Sequence, residues 1–467
     1  MNTPFANVQR IVLVGSHWEW ACHLALRFGE EAGACRFLSC LQDVGCCPTA
    51  AGAYRPPVQI SLGFSRRGLE HVHVPEHVLT CFALKSPAFS AGAALRASSH
   101  LACSGRNAPG HWDPAFGYNT LDAVLSLHAT DRQSLVDACW HIGLLAKTTQ
   151  VEIADMVSGK RLPKGPEGEA PNPNAQWVHF GYRDGLSRVA IKGWTEPDRL
   201  KPFKPTSVHE PGEFLLGHAQ DSGANPWIAG PGSRVWPDEL RSFFRDGSFG
   251  VLHQIEQDVP AFEAFVKRGA SASGIKPRDF KAKLCGRYPD GRPLAEPQTA
   301  GPEDDFDYSQ DAHGYGCPFG AHIRRMNPRS DALAHAARTR PLLRRGMPYG
   351  PAWRNGEAQG VERGLMAQFF CASIEDQFEH LVGQWADRVP MGSLDGGGAR
   401  DPLIGAHELA DGVFEIPKPN TRRPIRVDGL SPFTRTAGVA YLFYPSLSTL
   451  QGIARQDLWY ATEEDDE

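Results

Sequence analysis

Residues 317–329 read CPFGAHIRRMNPR. One histidine, His322, follows a short apolar lead-in, and Arg324, Arg325 and Arg329 come within the next seven residues. Imidazole is the commonest metal ligand, and guanidinium groups stay charged and pair with carboxylates. Together they suit axial ligation of a haem iron whose propionates need cations. Standing alone, the segment reads more often as a core or surface histidine among arginines. A second segment, FGYRDGLSRVAI at 180–191, sets Asp184 between Gly181 and Gly185. Glycines on both sides permit positive φ and let the backbone approach a flat ligand closely, with the carboxylate at the tip of a turn. An isolated Asp-Gly is otherwise an ordinary turn.

Taken together, the two segments resemble the dye-decolorising peroxidase family. Gly181-Tyr182-Arg183-Asp184-Gly185 resembles that family's distal haem signature, and the CPFGAHIRRMNPR run resembles its proximal histidine segment. The likeness continues in order through VQISLGFSRRGLEHV (58–72), GEFLLGH (212–218), DGSFGVLHQIEQDVPAFEAFV (246–266), LLRRGMPYG (342–350), and GLMAQFF to QFEHLVGQW (364–385). The first 50 residues and the C-terminal 60 are less alike.

The resemblance implies an α+β fold of two ferredoxin-like halves, antiparallel sheets with peripheral helices, in the manner of the dimeric α+β barrels. The halves would be residues 1–240, with the distal loop, and 241–467, with the proximal ligand. It implies haem b as cofactor and hydrogen peroxide as oxidant. Bulky aromatic donors, dyes and phenolics, would be oxidised one electron at a time through a ferryl intermediate.

His322 is then the iron ligand. Peroxide cleavage needs a proton taken from the inner oxygen and returned to the outer one, a task for a carboxylate, here Asp184. It also needs fixed positive charge beside the leaving oxygen; Arg344 matches the family's distal arginine, and Arg345 is the alternative. Asp401 in DPLIG matches the acid expected to hold the proximal imidazole, with Glu379 competing. Arg329 is the expected propionate partner. Tyr349 and Trp385 match positions where relatives relay electrons, although core packing is the other reading of both and the favoured one for Trp385. Many members read D-G-I-S-Q-P where this chain has D-G-L-S-R-V, so Arg188 and Val189 are expected to loosen the turn and add a cation near the haem edge. The alternative function is a haem-trafficking, storage or iron-releasing protein, which needs only the ligand and the propionate anchors. Chlorite decomposition is disfavoured, because a distal Asp is not expected there.

The composition fits an enzyme of this kind. Of 467 residues, 41% are apolar and 22% charged, and 48 basic against 53 acidic side chains give a net charge of −5. No basic excess marks nucleic acid or an anionic membrane as a partner. No stretch approaches the ~18 uninterrupted apolar residues of a membrane span. The 11 cysteines are odd in number and form no C-x-x-C, which suits reduced, buried thiols in a cytoplasmic protein. The N-terminus lacks the pattern of a secretory leader, and the acidic end EEDDE reads as a solvated tail. A homo-oligomer is left open.

The elements that must position these residues read as a repeated unit. QRIVLVG (9–15) and VQISLGF (58–64) have strand composition, and LDAVLSLHA (121–129) alternates like a half-buried strand. DRQSLVDACWHIGLLAKTT (131–149) has helical spacing behind an N-capping Asp. Strand then helix recurs at 248–257 with the run from Pro260, and at 364–372 with 374–389, which suggests a duplicated α+β unit. Segments 158–178 and 195–240, rich in Pro, Gly and charge, read as long loops. In ARTRPLLRR (337–345) at least one arginine is expected to point inward.

Overall fold

The computed structural model describes residues 5–15, 18–43, 49–50, 56–118, 120–162, 176–187, 189–195, 208–230, 235–295, 304, 306–329, 340–354, 360–387, 400–406, 412–421 and 423–457. Four strands come first: β1 (Trp20–Arg27), β2 (Val58–Phe64), β3 (Ala123–Ala129) and β4 (Glu152–Lys160). Helix α1 (Glu31–Asp43) follows β1, and α2 (Arg132–Thr148) follows β3. Later come β5 (Ser248–Gln257), α3 (Val259–Ser273), α4 (Pro277–Cys285) and α5 (His322–Met326). Then come β6 (Leu343–Arg344), β7 (Met347–Tyr349), β8 (Gly364–Cys371), α6 (Ile374–Trp385) and β9 (Thr434–Tyr444).

The ladders run β4-β1-β3-β2 in the first set and β7-β8-β5-β9 in the second, all antiparallel. Both are ferredoxin-like strand orders. The sets join at two narrow seams, Tyr349 opposite Gly159 and Phe443 opposite Phe64, which close the sheet into a barrel. Close approach explains the glycines there. A Cβ at Gly159 would sit 2.7 Å from Met347 Cγ, and one at Gly63 would sit 2.6 Å from the Tyr444 ring. Short β6 and β7 pair the same edge of β8, so they are two pieces of one strand broken at Arg345-Gly346.

Local chemistry accounts for the helices. Asp131 caps α2 by accepting the Ser134 N–H at 2.9 Å, as its sequence predicts. Asp258 caps α3 in the same way through the Ala261 N–H, Pro260 sits in its first turn, and Gly274 ends it at φ 70°. Phe262, Phe265, Val266, Gly269 and Ala270 then face inward at helical spacing. Helix α6 is wound as a π-helix, and the Ala386 N–H reaches the Leu381 carbonyl at 2.9 Å. Such wide turns are uncommon and concentrate at functional sites.

Two expectations are corrected. Arg10–Leu13 is a buried helical turn, not a strand. Arg345 donates to the Ile11 and Val12 carbonyls at 3.0 and 2.9 Å, so a guanidinium satisfies groups that a strand would have paired laterally. Strand β3 is buried at all seven residues, not half-buried. Its polar positions, Ser126 and His128, face the closed barrel interior, while the intervening ones face the helices. Parts of the two expected long loops, 163–175, 196–207 and 231–234, lie outside the described residues. Among the described residues, no helix is long and apolar enough to cross a membrane.

One buried ion pair ties the N-terminal helices to the second set of elements. Arg96, on the helix Ala93–His100, donates from Nε and Nη2 to the two Glu379 oxygens at 2.6 Å, and the Tyr441 hydroxyl donates a third bond at 3.0 Å. Glu379 is 4% exposed. Arg96→Leu leaves that carboxylate buried without its guanidinium and is expected to cost about 3–5 kcal/mol of unfolding free energy. Urea titration of the variant and of the Arg96→Leu/Glu379→Leu pair checks it: the double variant should recover most of the loss.

Candidate active site

A cavity of about 420 Å³ lies between the outer face of β8, helices α5 and α6, and the loop at 183–189. Leu365, Ala367 and Phe369 alternate along β8 to form one wall, and Phe378, Leu381 and Trp385 form another from α6. The alternation follows from the two-residue repeat of a strand, and the second wall from spacings of three and four on a helix. His322, Asp184, Arg344 and Arg329 all line the same space.

His322 opens α5. Its Nδ1 lies 2.8 Å from Asp401 Oδ2, and Asp401 is fully buried. The other Asp401 oxygen accepts the Leu403 and Ile404 N–H groups at 2.9 and 3.1 Å. Burial alone would raise the Asp401 pKa. The His322 ring, the Leu403 N–H and nearby Arg325 outweigh it and hold the carboxyl below its ordinary value. The carboxylate is therefore an acceptor and Nδ1–H donates, which leaves Nε2 as the nitrogen on the other side of the ring. Glu379, the competing partner, is held by Arg96 and Tyr441 instead.

Asp184 lies on a two-residue ladder with Gln176, bracketed by Gly181 at φ 77° and Gly185 at φ 74°. Both glycines take the left-handed backbone that the sequence implies. Among the described residues, its carboxylate has no hydrogen-bond or ion-pair partner. Arg344 is exposed to the cavity, and its Nη2 reaches the Ser187 carbonyl at 3.5 Å. Arg345 points the other way, to the Ile11 and Val12 carbonyls, with its pKa pushed down to about 10 by burial and by Arg344. Arg188 lies outside the described residues.

The arginines of the 317–329 segment divide. Arg324 is buried against Asp311 and the Cys317 carbonyl, and Arg325 donates to the Trp385 carbonyl at 2.8 Å. Only Arg329 of the three lines the cavity. It shares Asp304 Oδ1 with Arg287, at 2.6 and 2.9 Å, and the Ser187 hydroxyl donates to the same oxygen. Two guanidiniums thus meet one carboxylate at that wall. Sequence reading missed Arg287 and Asp304, which stand in runs that look like ordinary turn and surface charge. It also missed His209, which lines the cavity with Nδ1 2.6 Å from Asp221 and is carried there by a parallel ladder with Ile191. Trp385 is buried at the cavity wall, its ring 5.6 Å from His380. Tyr349 is buried at the barrel seam and is not part of the wall; burial and then Glu256 and Glu362 push its phenol pKa up.

No protein-family model matches the chain. It is 27% identical over 441 residues to a dye-decolorizing peroxidase, msp1, of Mycetinis scorodonius, covering 86% of this chain and 78% of that one. It is 30% identical over 317 residues to the multifunctional dye peroxidase DyP2 of an Amycolatopsis strain, covering 60% and 62%. A crystal structure of DyP superposes with a TM-score of 0.77 at 22% identity, covering 97% of this chain and 98% of the other. The chain resembles the dye-decolorising peroxidases along most of its length. It is a peroxidase, and dye-decolorising peroxidases are haem enzymes. The cavity residues of this peroxidase fit such a group: a histidine with a fixed tautomer, apolar walls on both faces, and a cationic edge.

Asp387, also on the wall, accepts the Ala406 N–H at 2.6 Å, and burial pushes its pKa from 3.8 up to about 6. Below the lower value the carboxyl is neutral folded or unfolded. Between the two, the folded peroxidase keeps a proton that the unfolded chain has lost, so stability falls as pH rises through that window. The shift corresponds to ~3 kcal/mol at most. Asp387→Asn should remove this loss, giving an unfolding free energy above wild type at pH 7 and no such gain at pH 4, as read by chemical denaturation.

Proposed function

We propose that this cavity binds haem b with His322 as the iron ligand and uses hydrogen peroxide to oxidise bulky aromatic donors, dyes and phenolics among them. The observation that carries the reading is the convergence of the His322–Asp401 pair, Asp184 and Arg344 on one apolar cavity. When bound, the haem would supply the iron at which peroxide is reduced and to which the donors return electrons one at a time. The protein's groups do the rest. His322 presents Nε2, and Asp401 holds the ring's orientation and strengthens it as a donor. Asp184 takes the proton from the inner peroxide oxygen and returns it to the outer one. Arg344 keeps a fixed charge beside the departing oxygen. Arg329 and Arg287, sharing Asp304, are suited to a propionate.

In this reading the chain is a duplicated unit divided near residue 240, and the second half supplies most of the haem wall. Tyr349 and Trp385 would carry electrons from donors too large to enter, with Trp385 at the wall. A storage or trafficking role would require only the ligand and its anchors, and gives no reason for Asp184 and Arg344 to face the same space.

His322→Ala is expected to lose the Soret band of stably bound haem in the purified protein. His313, exposed and with its ring tilted against Tyr315 at 5.3 Å, is the control: His313→Ala should keep the band. If the two results are exchanged, the ligand is misassigned.

Replacing the distal pair separates positioning from chemistry. Asp184→Asn keeps the turn but accepts no proton, and should slow the stopped-flow reaction with peroxide by about 10²–10⁴-fold with haem retained. Arg344→Leu should slow it by a factor of order 10²–10³, as the removal of one stabilising charge or donor does elsewhere. A wild-type rate and pH profile in Asp184→Asn would leave the loop as a structural turn.

A further inference from the structure

The buried ion pair between Arg96 and Glu379 has a third member, and the chemistry described for the cavity does not use it. Tyr441, on β9, is 3% exposed and donates its hydroxyl to Glu379 Oε1 at 3.0 Å. Its ring lies edge-on to Phe378, with centroids 6.3 Å apart. Phe378 lines the cavity, and Glu379 is the next residue on α6. One aromatic ring therefore separates the phenol from the cavity, and its proton acceptor sits on the helix that forms the wall.

A phenol gives up an electron readily only if its proton has somewhere to go, because the oxidised phenol is a strong acid. A carboxylate within hydrogen-bond reach can take that proton. The Arg96 guanidinium, bonded to both Glu379 oxygens at 2.6 Å, keeps the acceptor in place. Burial, and then the Glu379 charge, push the Tyr441 pKa up, so the resting phenol keeps its proton. Two other buried phenols are built differently. Tyr182, which lines the cavity, donates to the Lys281 carbonyl at 2.7 Å, and the Lys281 ammonium lies 5.6 Å from the centre of its ring. A backbone carbonyl accepts a hydrogen bond but takes no proton, and a cation over the ring opposes loss of an electron. Tyr349 donates to no carboxylate among the described residues.

We propose that Tyr441 is a redox-active tyrosine that stores one of the two oxidising equivalents of hydrogen peroxide behind the α6 wall, with Glu379 as the base that holds its proton. The inference rests on the haem-binding reading of the cavity. Cleavage of one peroxide leaves the cavity short of two electrons, and Tyr441 supplies one of them. The electron passes to the oxidised cofactor. The phenol O–H bond breaks, the proton moves along the 3.0 Å hydrogen bond to Glu379 Oε1, and a neutral tyrosyl radical remains. An electron that later arrives from a donor reduces the radical, and the proton returns from Glu379 to the phenol oxygen. The protein gains and loses no atom in the cycle, and peroxide is the only oxidant. The phenol is sealed from solvent, so donors do not touch it, and the stored equivalent is kept from side reactions until an electron comes.

The test is freeze-quench electron paramagnetic resonance on the haem-loaded, full-length protein mixed with hydrogen peroxide and no donor. The wild type should give a radical signal that narrows when the protein is made with ring-deuterated tyrosine. After exchange into D2O, that radical should show coupling to one deuteron, the proton held by Glu379. Tyr441→Phe should lose the signal with its Soret band retained, and Tyr349→Phe should keep it. A signal of wild-type size in Tyr441→Phe overturns the proposal, and so does a wild-type tyrosyl radical with no exchangeable proton beside it. The D2O reading is made on the wild type and decides the matter if the variant fails to fold or to hold haem. A wild type with a Soret band and rapid peroxide consumption but no tyrosyl signal removes this proposal alone. A wild type with no Soret band removes the haem-binding reading and this one with it.

Discussion

The hydrogen bond between His322 Nδ1 and Asp401 is the constraint on which the site depends. It joins residues 79 apart in sequence. The carboxylate is sealed from solvent and would be costly there without partners. Two backbone N–H groups of its own turn and the imidazole supply them. The same bond selects the tautomer, so the ring can act as a ligand only through Nε2. Packing then fixes where that nitrogen points. Helix α5 has only five residues, too short to hold an orientation by itself, and it is Asp401 that supplies the anchor.

The barrel positions the opposite wall. Between β6 and β7 the chain keeps its register against β8, the Arg345 N–H donating to the Gln368 carbonyl at 2.7 Å. Successive side chains of an extended segment point to opposite faces. Arg344 therefore faces the cavity, and Arg345 enters the interior to meet the Ile11 and Val12 carbonyls. One arginine is free to act on a ligand because its neighbour has taken the structural task. A similar division separates Arg324 and Arg325, held by internal acceptors, from Arg329 at the wall.

Charge around the cavity is arranged in small, nearly balanced groups. Asp304 gathers Arg287, Arg329 and Ser187 onto one oxygen. Asp221 holds His209, and Asp401 holds His322. Each carboxylate fixes the geometry of a cation or an imidazole. Asp184 is the exception, a carboxylate on the wall with no partner among the described residues, which is the condition a group needs if it is to exchange a proton with a bound molecule.

The sequence by itself determined the residues with local signatures. Gly181, Asp184 and Gly185 read as a turn with left-handed glycines because only glycine takes that backbone at no steric cost. Asp131 read as a cap because a carboxylate beside the first free N–H groups of a helix has one clear use. The strand-helix pairs β3–α2, β5–α3 and β8–α6 followed from periodicity, whereas β1, α1, β4 and β9 were not read from it. Only the tertiary structure decided what depends on distant partners. Residues 9–15 read as a strand, but a guanidinium from position 345 satisfies their carbonyls as a helical turn. The alternation in β3 read as one wet face, but barrel closure buries both. The choice of Asp401 over Glu379, and of Arg344 over Arg345, rested on which partners lay across the fold. Neighbouring residues of the same type are identical in sequence terms, and only the direction of the chain through three-dimensional space tells them apart.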